Sequence, residues 1–189
     1  IFISAIPESS IISPADASDL HSLTVLQQLD GGTTSLGYKV RLHGCLHFMK
    51  RLRPEFQHDA TYQSAFKKEF LTGYRLQHPN LVHYYRLDED ARGMYMLTEY
   101  VEGDTLMQVL KSNPEFFCNR KNLTDFVGQL LDVFRYLHAH QVLYLDLKPD
   151  NLMITHIDNR LKLVDLGCCK TDSFDNTAGR NLMFAAPEQ

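Results

Sequence analysis

Apolar and polar residues change rhythm several times along this chain, and each rhythm predicts an element. Short alternating runs predict strands over 23–29, 38–42 and 45–52, separated by a small-residue turn at 30–37 and by His43-Gly44. Residues 61–77 switch to a helical period, with Phe66, Phe70, Leu71 and Tyr74 on one apolar face. Strands are predicted again at 81–86 and 94–100, joined by the polar turn 87–93, before Val101-Glu102-Gly103-Asp104 breaks the pattern. A second helix is predicted from the stripe Leu123, Phe126, Val127, Leu130, Leu131, Phe134 and Leu137, expected to pack as core, with Asn122 placed as its N-cap. Two short strands are expected at 152–155 and 161–164. Residues 1–21 keep no period and read as a flexible lead-in.

At 189 residues the chain can bury one good core or two small lobes. A formal net charge of −4 with no basic stripe implies no nucleic-acid partner. No apolar run approaches membrane-spanning length, and Ile1–Pro7 lack the basic start and long apolar stretch of a signal peptide. Cys45, Cys118, Cys168 and Cys169 have no zinc-ligand spacing, which predicts free thiols and a cytoplasmic location. His138 and His140 likewise have no partner at ligand spacing and read as structural.

The chemistry concentrates in 144–151, Tyr144-Leu145-Asp146-Leu147-Lys148-Pro149-Asp150-Asn151. By itself this run fits a polar turn before an ordinary hairpin. Two strands later comes Asp165-Leu166-Gly167, however, and the order Asp-x-Lys-x-x-Asn, hairpin, Asp-x-Gly resembles the catalytic core of eukaryotic-type serine/threonine protein kinases. Over about residues 23–188 the resemblance implies an α+β, bilobal protein-kinase-like fold. Its small lobe, 22–100, would hold an antiparallel sheet and one long helix; 101–189 would be the first part of a mainly helical large lobe.

The resemblance also implies roles. Phosphoryl transfer needs positioning and charge neutralisation more than covalent help. Asp146 would orient the attacking hydroxyl and accept its proton, Lys148 would balance phosphoryl charge, and Asn151 and Asp165 would be oxygen ligands for Mg2+. Lys50 ends an apolar strand, where a lysine is usually on the surface, but Glu69 stands where the family has its ion-pairing glutamate. Paired, the two would hold the α- and β-phosphates of ATP. Leu29, Gly32, Met153 and the backbone of Glu99 and Val101 would contact the nucleotide, with Thr98 as gatekeeper. The partner would be a protein substrate offering Ser or Thr.

Several positions depart from the family pattern. Of the glycines of Gly-x-Gly-x-x-Gly-x-Val only Gly32 falls in place, since Asp30, Ser35 and Gly37 stand at the other defining positions. Phe48 occupies the place of an alanine over adenine, Leu145 that of an arginine, and Arg180 or Asn181 falls near that of a threonine. Asp30, Gly37 and Phe48 favour a rival reading, a pseudokinase kept as a binding module. Ala186-Pro187-Glu188, which resembles the close of an activation segment, disfavours a second rival, a small-molecule kinase of related fold. The same ending, and the start at Ile1, lead us to expect a fragment of a longer chain.

Overall fold

The structure is a computed structural model and describes residues 23–29 and 31–171. The expected lead-in, Asp30, and the stretch containing Arg180, Asn181 and Ala186-Pro187-Glu188 lie outside those residues. The chain divides into two compact units, one running to Phe70 and resuming over Tyr84–Tyr100, the other taking Leu71–His83 and the chain from Val101.

The first unit is an antiparallel sheet with a helix. Strands β1 (Thr24–Leu29), β2 (Ser35–Leu42), β3 (Cys45–Leu52), β4 (Tyr84–Asp90) and β5 (Gly93–Glu99) lie in the order β1-β2-β3-β5-β4. Helix α1 spans Ala60–Tyr74 and is preceded by a 3-10 turn at Pro54–Phe56. Side chains alternate across a strand, so β3 sends Met49 and Arg51 to one face and Phe48 and Lys50 to the other. On the Met49 face, Val40, Met49, Tyr95 and Leu97 form a core at 2 % exposure or less, flanked by Leu23, Tyr38 and Leu42.

Two expected elements shift here. β2 begins at Ser35 rather than residue 38, because Gly37 is already paired with Leu29 and Lys50 and only a short loop remains. The strand expected at 81–86 lies at Tyr84–Asp90. Leu81 and Val82 are spent elsewhere: Leu81 bridges Leu163, and the Val82 N–H donates to the Leu163 carbonyl. The polar end of β4 is held by charge pairs instead. Arg86 meets the buried Asp88 at 2.7 Å, and Arg51 grips Asp90 through its two terminal guanidinium nitrogens at 2.6 and 2.7 Å. The Arg51 guanidinium also lies 4.7 Å from the centre of the Tyr95 ring, a cation–π contact. Burial and the nearby Asp88 push the Tyr95 phenol up to about 12.

The second unit is built on α3 (Arg120–Ala139), whose Val133 and Leu137 are fully buried. Beside it lie the sheet β6 (Gly103–Thr105), β8 (Leu152–Thr155), β9 (Leu161–Leu163) and the pair β7 (Leu143–Tyr144) with β10 (Cys169–Lys170). Leu152, Ile154, Leu161, Leu163 and Leu166 complete the buried set. Two corrections concern α3. Its N-cap is Asn119, whose Oδ1 accepts the Lys121 N–H at 2.9 Å, whereas Asn122 donates to the Phe116 carbonyl. The stripe is also not all core, for Leu123, Val127 and Leu131 are 42–59 % exposed. The short helix α2 (Leu106–Ser112), unforeseen from periodicity, is fixed by a capping box between Thr105 and Gln108. Tyr74, expected on the apolar face of α1, is exposed, and that helix ends three residues before the expected 77. All four cysteines are unbridged. No described helix is long and apolar enough to cross a membrane.

Candidate active site

In the first unit β3 and α1 present a lysine and a glutamate to each other. Lys50 sits in the middle of the sheet, opposite Gly37 on one side and Met96 on the other, so its backbone is hydrogen-bonded between two strands. Glu69 lies between Phe66 and Phe70 along α1, and burial of those rings turns the carboxylate inward. Lys50 Nζ meets both oxygens of Glu69 at 2.8 Å, and the Tyr84 hydroxyl donates to Oε1 at 3.3 Å. Glu69 is 6 % exposed. A buried carboxylate is tolerable only with such partners.

The loop between β1 and β2 has its own steric logic. A β-carbon on Gly31 would overlap the Ser35 carbonyl and stand 2.9 Å from Leu36 Cα, whereas one on Gly32 would meet only Ser35 Oγ at 3.7 Å. The glycine that the loop cannot replace is therefore Gly31, next to the one selected by the family pattern. The Gly32 carbonyl accepts from Nε and Nη2 of Arg53 at 3.3 and 3.2 Å, while the Arg53 N–H donates to Thr34. Leu29 is half-buried opposite Gly37, Thr98 is buried, and Glu99 pairs with His47.

In the second unit the loop after β7 gathers the polar side chains. Asp146, 8 % exposed, receives Lys148 Nζ on Oδ2 at 2.6 Å. The Asn151 carboxamide donates both to that oxygen and to the Asp146 carbonyl, each at 2.9 Å. The Asn151 carbonyl in turn accepts the Val164 N–H at 2.9 Å, which ties the loop to the residue before Asp165. From the other side the Tyr144 hydroxyl donates to the Val164 carbonyl at 3.1 Å. Burial, joined by the charge of Asp165, pushes the Tyr144 phenol far above its ordinary range, so it stays a donor at any working pH. Asp165 has a left-handed backbone, φ 62°, and its Oδ1 accepts the Gly167 N–H at 3.0 Å. Val101 is buried, and Met153 is half-buried on β8 opposite Lys162.

Lys50 and Glu69 are thus brought together in one unit, and Asp146, Lys148 and Asn151 in the other. Tyr84, Tyr144 and Arg53 were missed from the sequence. Each acts through hydrogen bonds to residues distant in sequence, which no local pattern announces, although an aromatic with a polar tip in a buried strand is a weak signal. Among the described residues no group of three His, Cys, Asp or Glu side chains could hold a metal. One aspartate and one asparagine suit magnesium instead, which keeps waters and takes oxygen from phosphates rather than from an all-protein cage. The Asn151 carboxamide fits that use, because its NH2 is committed to Asp146 and its oxygen lies outside those bonds.

Residues 23–189 match the protein kinase domain family. The chain is 29 % identical over 146 residues to the serine/threonine-protein kinase PrkC of Bacillus subtilis, covering 75 % of this chain and 22 % of that protein. It is 28 % identical over 146 residues, with the same coverage, to a protein of Clostridium acetobutylicum named as a probable serine/threonine-protein kinase. Serine/threonine-protein kinase B of Synechocystis sp. is 31 % identical over 179 residues, 84 % of this chain and 30 % of that protein. The chain therefore spans less than a third of the length of these relatives. With Asp146, Lys148 and Asn151 interlocked as described and a match across 23–189, the chain belongs to the protein kinase domain family.

Proposed function

We propose that this chain transfers the γ-phosphoryl group of ATP to a serine or threonine hydroxyl of a protein. The observation that carries the proposal is the double engagement of Asp146 Oδ2 by Lys148 and Asn151. It fixes the carboxylate and leaves Oδ1 outside both bonds, where it can accept the proton of an attacking hydroxyl. The oxygen–phosphorus bond forms as the bond to the β,γ-bridging oxygen breaks, ADP departs, and the hydroxyl proton passes to Asp146. Lys148, held against the same carboxylate, would offset the charge of the transferring group. Lys50, steered by Glu69, would hold the α- and β-phosphates, while Leu29, Gly32, Glu99, Val101 and Met153 would line the nucleotide. Asn151 and Asp165 would hold Mg2+, which supplies charge neutralisation on the phosphate oxygens.

Names of relatives support the serine/threonine class, and unbridged cysteines support a cytoplasmic site of action. A pseudokinase remains the second reading because Phe48 shares its strand face with Lys50. The test is radiolabel transfer from ATP by the full-length protein with Mg2+, parent against Asp146→Asn. Loss of a preorganised transition-state group lowers the rate on the order of 10²–10³. Transfer that stays within about threefold of the parent, far short of that loss, overturns the mechanism. ATP binding without any transfer would mark the pseudokinase.

A further inference from the structure

We propose that Gln57 is a positioning residue for the Lys50–Glu69 pair, fastening the start of α1 to the sheet so that the glutamate is presented in one orientation. Its functional consequence rests on the kinase reading above. Gln57 lies between the turn Pro54–Phe56 and α1, and its single carboxamide touches three separate pieces of backbone. Nε2 donates to the Leu52 carbonyl at 2.5 Å, where β3 ends, and at 3.4 Å to the Arg92 carbonyl at the tip of the β4–β5 hairpin. Oε1 accepts the Met94 N–H at 2.9 Å, where β5 starts. The hairpin makes room for it. Gly93 has φ 96°, and a β-carbon there would overlap the Gln57 carboxamide.

The main chain of the same residue faces the helix. Gln63 donates through Nε2 to the Gln57 carbonyl. Asp59 caps the first turn through the Thr61 N–H at 2.8 Å, and the Phe56 ring lies 4.2 Å from that of Tyr62. Sheet, Gln57 and helix start therefore form one continuous set of bonds. Glu69 follows Gln63 by six residues, about 9 Å along the helix axis. Leu52, whose carbonyl Gln57 holds, follows Lys50 by two residues on β3. β3 and α1 are thus pinned twice, once by the ion pair and once by Gln57. A single pin would leave a pivot, whereas two separated pins fix an orientation.

The test uses the full-length protein with Gln57→Ala and Gln57→Glu. In Gln57→Ala the KM for ATP should rise about tenfold, the worth of one net hydrogen bond, while the KM for the protein substrate stays within about twofold, that bond being remote from it. Gln57→Glu loses its donor when ionised and regains one when protonated. Facing the Leu52 and Arg92 carbonyl oxygens disfavours the ionised form and raises that carboxyl above its usual value of about 4.3, so activity relative to the parent should climb several-fold as pH falls from about 8 towards about 5.5. A flat ratio across that range, or equal rises in both KM values, overturns the proposal, and so does an unchanged KM for ATP. Hydrogen exchange reads the fastening independently of catalysis. The amides of 60–66 should lose protection in both variants at pH 7 while those of α3 keep theirs, and unchanged protection overturns the proposal. A parent that transfers no phosphate defeats the kinase reading, with hydrogen exchange still deciding the fastening.

Discussion

Replacing Glu69 by Gln keeps the size of the side chain and removes only its charge and one acceptor. In the parent the carboxylate takes two contacts from Lys50 Nζ at 2.8 Å and one from the Tyr84 hydroxyl at 3.3 Å. In Glu69→Gln an NH2 group must face either the ammonium or the hydroxyl, so Lys50 keeps at most one charge–dipole bond. A hydrogen bond to a charged group is worth about 1.5–3 kcal/mol. The Lys50 side chain is 16 % exposed, so water recovers part of that. Roughly 2 kcal/mol of positioning is lost, or about 30-fold in kcat/KM for ATP at 1.36 kcal/mol per decade. Tyr84→Phe removes a longer bond from an uncharged donor and should lower the same parameter about two- to threefold, corresponding to about 0.5 kcal/mol. In the Glu69→Gln background that second effect should vanish, because the two changes share one carboxylate. The assay is ADP release at subsaturating ATP with the full-length protein. Glu69→Gln within about threefold of the parent, against the roughly 30-fold expected, would refute the reasoning, as would a larger loss from Tyr84→Phe.

Arg51→Met should destabilise the fold by about 2–4 kcal/mol in urea melts, because it strands Asp90 and the Gly93 carbonyl that Arg51 now satisfies. Burial raises the Asp90 carboxyl, but Arg51 and the Arg92 N–H outweigh it and hold it below the ordinary 3.8. The stabilisation is therefore present above that value and lost as pH falls through the folded one, so parent and variant should converge in acid and differ most near neutrality. Gly37→Val and Phe48→Ala should each weaken ATP binding, and the double change should recover much of the loss. In the β2–β3 register these positions are diagonal neighbours on the Lys50 face, close enough to couple by roughly 0.5–3 kcal/mol. Strictly additive effects on affinity would overturn this.

The proposed catalytic loop was legible because its bonding is local: Asp146, Lys148 and Asn151 stand within six residues and bond to one another. Lys50 and Glu69 were legible by spacing from other motifs rather than by any property of their own. What failed to show was whatever depends on partners distant in sequence. Leu81 and Val82 look like the start of a strand because they are apolar, yet their bonding is to Leu163, and the strand continues instead into Asp88 and Asp90. Asp90 reads as part of a polar turn until Arg51, 39 residues earlier in the chain, is seen gripping it. Asn119 and Asn122 are both sound N-caps by residue type, and only the bond to Lys121 chooses between them. The helix Leu106–Ser112 could have been found, since Thr105 and Gln108 stand at capping-box spacing.

The left-handed backbone at Asp165 affects how loss-of-function variants there should be interpreted. Alanine, the habitual replacement, removes a carboxylate and at the same time places a residue poorly suited to positive φ. A dead Asp165→Ala protein would then mix two losses, one chemical and one conformational, in unknown proportion. Asparagine tolerates that conformation almost as well as aspartate and keeps one oxygen, while glycine accepts it freely and offers no oxygen. The pair Asp165→Asn and Asp165→Gly separates what the side chain does from what the peptide geometry demands.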